Sequence, residues 1–383
     1  MKVPFNKLYC TGKEITYIKE VLERGETSGD GHFTHLVSSY LEQAFLAPRV
    51  LMTTSATHAL ELAALLIGLK PGDEVIMPSY TFPSTANAVM LTGARPVFAE
   101  IKEETLNIDP VDVEKRITGK TRAIIPVHYA GIGCEIDRIL EIASRNGLYV
   151  IEDAAQGVNA QYRGKYLGTW GDIGCYSFHG TKNYHCGEGG AIVINNQQWV
   201  EQAEIIRDKG TDRIRFLRGE VNNYSWVEQG SSYLPSEILM AFLYAQLEQL
   251  EDIKNRRKVI HEYYFAHLQD YLGMGFIKGM TRIPEECKSN YHSFYILLEN
   301  ERLRNRVMTR LQELGVSAFT HYLPLHSSPM GQKLGYRPEE LPLTERVSKT
   351  LLRLPLYTGM TPGEMEYVVS ALKKVFRELK DVE

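Results

Sequence analysis

Lys182 lies in the run Cys175-Tyr176-Ser177-Phe178-His179-Gly180-Thr181-Lys182-Asn183, between a short apolar stretch and the glycine-rich Gly187-Glu188-Gly189-Gly190. A lysine enclosed beside a buried strand loses its charge through desolvation, and a neutral amine attacks carbonyl carbon. Ser177 and the amides of the turn add donors for a phosphate. A second stretch, Val150-Ile151-Glu152-Asp153-Ala154-Ala155-Gln156, places two carboxylates where an apolar run ends. An aspartate there can hold the proton on a basic ring nitrogen and keep a pyridinium electron-withdrawing. The third, Thr53-Thr54-Ser55-Ala56-Thr57, is a hydroxyl-rich turn just ahead of an apolar-periodic helix, whose first N–H groups and dipole favour an anion. Taken singly, each has a commoner explanation: a solvated surface charge for the lysine, a helix cap or turn for the other two. Together they provide phosphate cup, ring-nitrogen acid and carbonyl-trapping amine, the parts that one pyridine aldehyde requires.

On these segments the chain resembles the DegT/StrS family of nucleotide-sugar aminotransferases, within the fold-type I pyridoxal-phosphate enzymes. The likeness runs from Pro4-Phe5-Asn6 and Gly29-Asp30-Gly31 through Pro78-Ser79-Tyr80-Thr81-Phe82 and Pro126-Val127-His128-Tyr129-Ala130-Gly131 to His321-Tyr322-Leu323-Pro324-Leu325-His326. It implies a large domain with a mostly parallel seven-stranded sheet between helices, followed by a smaller α+β domain. It also implies pyridoxal 5'-phosphate as cofactor, passing through pyridoxamine 5'-phosphate during turnover. Lys182 is then the cofactor-bonding lysine and proton shuttle, and Asp153 the partner of the ring nitrogen. Ala56, Thr57 and Ser177 bind the phosphate, Gln156 contacts the ring region, and Phe82 stacks on the ring. Many relatives complete the phosphate site with an Asn from a second subunit. Ser232 occupies the matching position here, and a shorter hydroxyl can still donate directly or through water. A homodimer with shared active sites is implied.

Residues 74–87 and Gly230-Ser231-Ser232-Tyr233-Leu234 resemble the enzymes that make dTDP-4-amino-4,6-dideoxygalactose. The substrates so implied are L-glutamate and a dTDP-linked 4-keto-6-deoxyhexose. A 3-keto or other nucleotide-sugar acceptor is the alternative, and a cofactor-binding regulator without turnover is a reading from another class. A diphosphate substrate needs cations, and Lys209, Arg213, Arg215 and Arg218 cluster before Tyr224 and Trp226. That cluster reads equally well as a charged loop. His179 and His326 are further candidates for sugar contacts, although a packed, hydrogen-bonded histidine is at least as common.

Short apolar runs at residues 74–78, 96–100, 122–129, 148–153, 173–178 and 191–194 alternate with helical patterns at 57–69 and 135–146, an α/β rhythm. Strands apolar at nearly every position need cover on both faces, hence a mostly parallel sheet between helices. Ligands in such folds sit beyond the carboxyl ends of the strands. From Ser236 an apolar stripe through Ile238, Leu239, Phe242, Leu243, Leu247, Leu250 and Ile253 predicts one long helix toward Tyr263 that links two domains, 1–253 and 254–383. In the second, a strand is expected near 291–298 and helices near 302–314 and 362–379.

Competing chemistries fit less well. Gly131-Ile132-Gly133 begins a dinucleotide fingerprint, but Ile136 takes the place of its third glycine. Eleven histidines include no His-Glu-x-x-His and no close Cys/His cluster, so no metal is expected. A related sugar dehydratase replaces the lysine with histidine, which Lys182 argues against. Five scattered cysteines without a Cys-x-x-Cys pair read as reduced thiols. A formal charge of −4 over 383 residues offers no general surface for nucleic acid, and no apolar stretch is long enough to span a bilayer. A soluble, cytoplasmic enzyme is expected.

Overall fold

The computed structural model describes residues 1–272 and 276–380. Its larger part is a seven-stranded sheet built from β1 (Val50–Thr53), β2 (Glu74–Pro78), β3 (Arg95–Ala99), β4 (Thr121–Ile124), β5 (Tyr149–Asp153), β8 (Ile173–Ser177) and β9 (Gly190–Ile194). Two short strands, β6 (Gln161–Tyr162) and β7 (Lys165–Tyr166), form a hairpin outside it. The sheet order is β1-β9-β8-β5-β4-β2-β3. From β3 to β8 all pairings are parallel, while β9 runs antiparallel to both β8 and β1.

The strands are apolar on both sides because both sides are covered. Val50, Ile76, Val150, Tyr176 and Val193 face one core, with Phe33, Val37, Ile139 and Met240. Their neighbours Leu51, Val75, Ile151, Cys175 and Ile192 face the other, with Leu60, Leu62, Ala63 and Val89. Helices α1 (Glu14–Arg24) and α2 (His32–Phe45) belong to the first layer, α3 (Ala56–Leu66) and α4 (Pro83–Met90) to the second.

A second, three-stranded sheet of order β10-β12-β13 is formed by β10 (Ile277–Met280), β12 (Phe294–Leu298) and β13 (Leu351–Leu354). Helices Leu250–Leu268, Glu301–Glu313 and Pro362–Lys380 pack on it through Tyr264, Val307 and Val368. Val3 joins that core and pairs with Val316, so the first residues lie with the C-terminal unit. The remaining short strand β11 (Cys287–Lys288) adds to β6. Among the described residues no helix is long and apolar enough to cross a membrane.

Three expectations shift. The single long helix from Ser236 is two, Glu237–Leu247 and Leu250–Leu268, and the second runs through the 253/254 division. The strand expected over 122–129 ends at Ile124, because Pro126 has no N–H to continue the ladder. The strand expected from 291 starts at Phe294, after Tyr291 turns at φ 56°.

Candidate active site

Four loops leave the carboxyl ends of β1, β2, β5 and β8 and meet in one cleft of about 640 Å³, closed from the other side by residues of the smaller unit. That volume is typical for a small-molecule site. Ser55, Ala56, Thr57, Phe82, Asp153, Gln156, Ser177, His179 and Lys182 all line it.

After β1 the chain enters α3 directly. Ser55 caps the helix, its Oγ accepting from the His58 amide at 3.1 Å. The amides of Ala56 and Thr57 have no acceptor within their own helix. The Thr57 hydroxyl lies 2.7 Å from Ser84 Oγ, which adds a hydroxyl from the start of α4. Gly190 packs against this turn so closely that a Cβ there would come within 2.2 Å of the Ser55 carbonyl carbon. Any larger residue would push the helix start out of the cleft.

Asp153, at the end of β5, is buried. Thr85 donates to its Oδ2 at 2.8 Å and the Ala155 amide to Oδ1 at 3.2 Å. Burial nevertheless raises the pKa of this carboxyl, against the opposing pull of those donors and of Lys182. Gln156 is committed on both sides: Oε1 accepts from the Ala130 amide at 2.7 Å, and Nε2 donates to the Tyr322 hydroxyl at 3.0 Å. It braces the loop walls that it also lines.

Lys182 follows β8 in a turn locked by backbone bonds from Phe178 to Gly189 and from Gly180 to Gly187, both 2.8 Å. Asn6 reaches the same turn, donating to the Gly180 carbonyl at 3.2 Å. The lysine keeps part of its surface open to the cleft, but its amine is enclosed. Desolvation brings its pKa down to about 8, with Asp153 opposing and Arg353 assisting. At pH 7 roughly a tenth of this amine is therefore uncharged and nucleophilic, far more than at its ordinary pKa of 10.5.

Several lining residues were not anticipated. Thr81 is one, and behind it, off the cleft surface, Thr85 holds Asp153 with its hydroxyl 2.9 Å from that of Thr81. His292 is fixed by Asn183, whose amide donates to the Asn290 carbonyl and leaves Oδ1 to accept from His292 Nδ1 at 2.9 Å. His321 Nδ1 lies 3.0 Å from the Tyr129 hydroxyl. Burial holds both imidazoles well below their usual pKa. Arg257 is buried and donates to the carbonyls of Tyr291 and His292. Arg353 is the other guanidinium on the cleft, and a lone cation inside Leu351-Leu352-Arg353-Leu354 was its sequence signal.

Other expected substrate contacts lie elsewhere. His326 is fully buried outside the cleft: Nδ1 is 2.7 Å from Ser79 Oγ, and Nε2 faces the Pro338 carbonyl at 3.3 Å. The sugar-contact expectation for His326 is corrected, since both ring nitrogens hold two chain segments together. His326→Ala is expected to lower stability by about 2–4 kcal/mol and to leave the KM for a sugar substrate within about threefold. Urea denaturation and steady-state kinetics check this, and a raised KM at unchanged stability would restore the substrate role. Arg213, Arg215 and Arg218 pair at the surface with Asp208, with Glu201 and Glu220, and with Glu204, each keeping part of its side chain exposed. Neither they nor Lys209, paired with Asp208, line the cleft of their own chain. Ser232 is exposed beside Asp208 and also lies off that cleft.

Residues 9–373 match the DegT/DnrJ/EryC1/StrS aminotransferase family. Spore coat polysaccharide biosynthesis protein SpsC of Bacillus subtilis (strain 168) is 32% identical over 386 residues, covering 98% of this chain and 97% of that protein. GDP-perosamine synthase of Escherichia coli O157:H7 is 28% identical, covering 98% and 99%. Spr1654 of Streptococcus pneumoniae, assigned as a sugar aminotransferase, is 25% identical and superposes in its PLP form with a TM-score of 0.91, covering 99% of each chain. Its PMP form gives 0.92, covering 98% and 100%. A phosphate-sized helix start, a buried carboxylate and a desolvated amine around one cleft suit that cofactor pair. This chain is thus a pyridoxal-phosphate-dependent transaminase and belongs to the DegT/DnrJ/EryC1/StrS aminotransferase family.

Proposed function

We propose that this transaminase moves the amino group of L-glutamate onto a nucleotide-linked keto sugar, dTDP-4-keto-6-deoxy-D-glucose, to give dTDP-4-amino-4,6-dideoxy-D-galactose. The observation that carries the amino-transfer reading is the enclosed Lys182 amine sharing one cleft with Asp153 and the open start of α3. The resemblance of residues 74–87 and 230–234 to enzymes of that product supports the choice of sugar. The GDP-perosamine synthase relative makes a GDP-linked acceptor the alternative.

Bound pyridoxal phosphate supplies the electron sink that lets a proton leave the carbon bearing the amine. Ala56 and Thr57 hold its phosphate with first-turn amides and a hydroxyl, and Ser177 adds a second hydroxyl. Asp153 keeps the ring nitrogen protonated, with Thr85 and Ala155 fixing both carboxylate oxygens. Phe82 and Gln156 confine the ring. Lys182 Nζ, once free, takes the proton from the donor carbon and returns one to the sugar carbon. A second subunit brings Ser232 toward the phosphate, and the cation loop 209–218 reaches the diphosphate from there. The setting is cytoplasmic.

The protein incubated with pyridoxal phosphate, L-glutamate and dTDP-4-keto-6-deoxyglucose is expected to yield a product carrying an axial amine at carbon 4, read by mass spectrometry and NMR. Amination of a GDP-linked keto sugar instead, with none of the dTDP sugar, would overturn the substrate assignment.

A further inference from the structure

The cleft around Lys182 is rich in donors and poor in uncommitted acceptors. Lys182, Arg257 and Arg353 bring only N–H groups to it. Asp153 is held by Thr85 and the Ala155 amide, Glu188 faces His179 Nε2 at 3.6 Å, and Gln156 Oε1 accepts from the Ala130 amide. A ligand hydroxyl that enters finds many groups to donate to it and few to take its own hydrogen.

His292 supplies such an acceptor. Asn183 turns its Nδ2 to the Asn290 carbonyl, 2.7 Å away, since a carbonyl cannot donate. Its Oδ1 is then the atom 2.9 Å from His292 Nδ1, which must carry the ring hydrogen. Asn290 is itself fixed by bonds to the carbonyls of Gln156 and Val158, both 2.8 Å. Arg257 holds the backbone beneath the imidazole through the carbonyls of Tyr291 and His292, at 3.1 and 2.6 Å. Burial near the cations Lys182, Arg257 and Arg353 keeps the ring from taking a second proton. What remains is Nε2, a bare lone pair that has no partner among the described residues and opens on the cleft. Ring orientation and tautomer are set before any ligand arrives, so little ordering accompanies a bond to it.

The two reactants differ in what they offer that lone pair. The amine of an amino donor goes to the cofactor, and its carboxylate oxygens carry no hydrogen to give. A 4-keto-6-deoxyhexose has a hydroxyl next to its keto carbon, at carbon 3. We propose that His292 Nε2 accepts a hydrogen bond from this hydroxyl and thereby selects acceptor sugars that carry it. The proposal rests on the reading of the acceptor as a 4-keto sugar, but not on which nucleotide bears it.

The test compares two sugars in the wild type, His292→Asn and His292→Gln. Protein loaded with pyridoxamine phosphate is mixed with dTDP-4-keto-6-deoxyglucose or with the analogue lacking the carbon 3 hydroxyl, and the rate of amination is measured at low sugar concentration. The wild type is expected to prefer the hydroxyl-bearing sugar about 10- to 100-fold. His292→Asn keeps an N–H for Asn183 but removes the Nε2 lone pair, so the preference should fall to within about threefold through slower reaction of the hydroxyl-bearing sugar. His292→Gln, whose Oε1 can reach the place of Nε2, should recover part of it. The glutamate half-reaction, followed by absorbance, should stay within about threefold of wild type, which also shows that the variants are folded. A wild type without preference, a variant that slows both sugars equally, or an equal loss in the glutamate half-reaction would overturn the proposal, the last two pointing to support of the Lys182 turn through Asn183. If the wild type aminates neither dTDP sugar but a GDP-linked 4-keto sugar, the dTDP assignment falls and the same pair is compared on GDP. Loss of the preference in His292→Asn then supports the proposal, and its persistence overturns it. Amination of 3-keto sugars alone overturns both.

Discussion

Lys182→Ala is expected to reduce transamination by at least about 10⁴-fold and to remove the visible band that the lysine gives when it captures pyridoxal phosphate. In the mechanism proposed above two roles fall on one amine, covalent capture and proton transfer at carbon, and among the described residues no other lysine lines the cleft to replace it. Full activity in the variant would refute the assignment. The pH behaviour gives a second reading of the same group. Burial lowers its pKa from 10.5 to about 8, so capture of added cofactor by the cofactor-free protein should climb with pH and level off near 8. A climb continuing past 10 would mean that the amine is solvated. The sign for stability is opposite to that of a salt-bridged lysine. The unfolded chain keeps this proton up to about 10.5 while the folded chain releases it near 8, so the group destabilises the fold at every pH below 8. That cost fades between 8 and 10.5. Cofactor-free Lys182→Met should therefore be more stable than wild type at pH 7 and lose the difference above pH 10, measurable by urea denaturation.

Asp153→Asn is expected to lower kcat about 100- to 1,000-fold. The substitution keeps the shape and takes away the charge that, in the proposed mechanism, holds a proton on the ring nitrogen. Each proton transfer at carbon draws on that same ring, so the glutamate and sugar half-reactions should slow together. Asn also offers one acceptor where the carboxylate serves both Thr85 and Ala155. Binding of pyridoxal phosphate should weaken as well, which absorbance titration measures. Unchanged rates in both half-reactions would show that another group fixes the ring nitrogen.

The parts of the site that were legible in the sequence are those whose chemistry is local. Lys182, Asp153 and the Ser55–Thr57 turn each stand where an apolar run meets glycine or a helix start, and strand-end position alone brings them to one edge of a parallel sheet. The strands were legible because burial on both faces makes them continuously apolar, as in Ile173–Ser177 and Gly190–Ile194. Helix breaks were less so. An apolar stripe continues across Glu248 and Gln249, and only packing shows that the helix does not.

Tertiary structure decided what depends on distance between remote residues. His326 and His321 stand five positions apart in one motif, yet one is sealed against Ser79 and the other faces the cleft. Nothing in residue type separates them, because a histidine's role follows from which groups surround it. Arg353, on an edge strand of the second sheet, reaches the cleft from the smaller unit, with Phe5 packed against its guanidinium and Asn6 bonded to the Lys182 turn. The kind of chemistry was thus set by residues whose electrostatics depend on their immediate neighbours. The choice of partners for that chemistry came from contacts between segments hundreds of positions apart, which local pattern cannot encode.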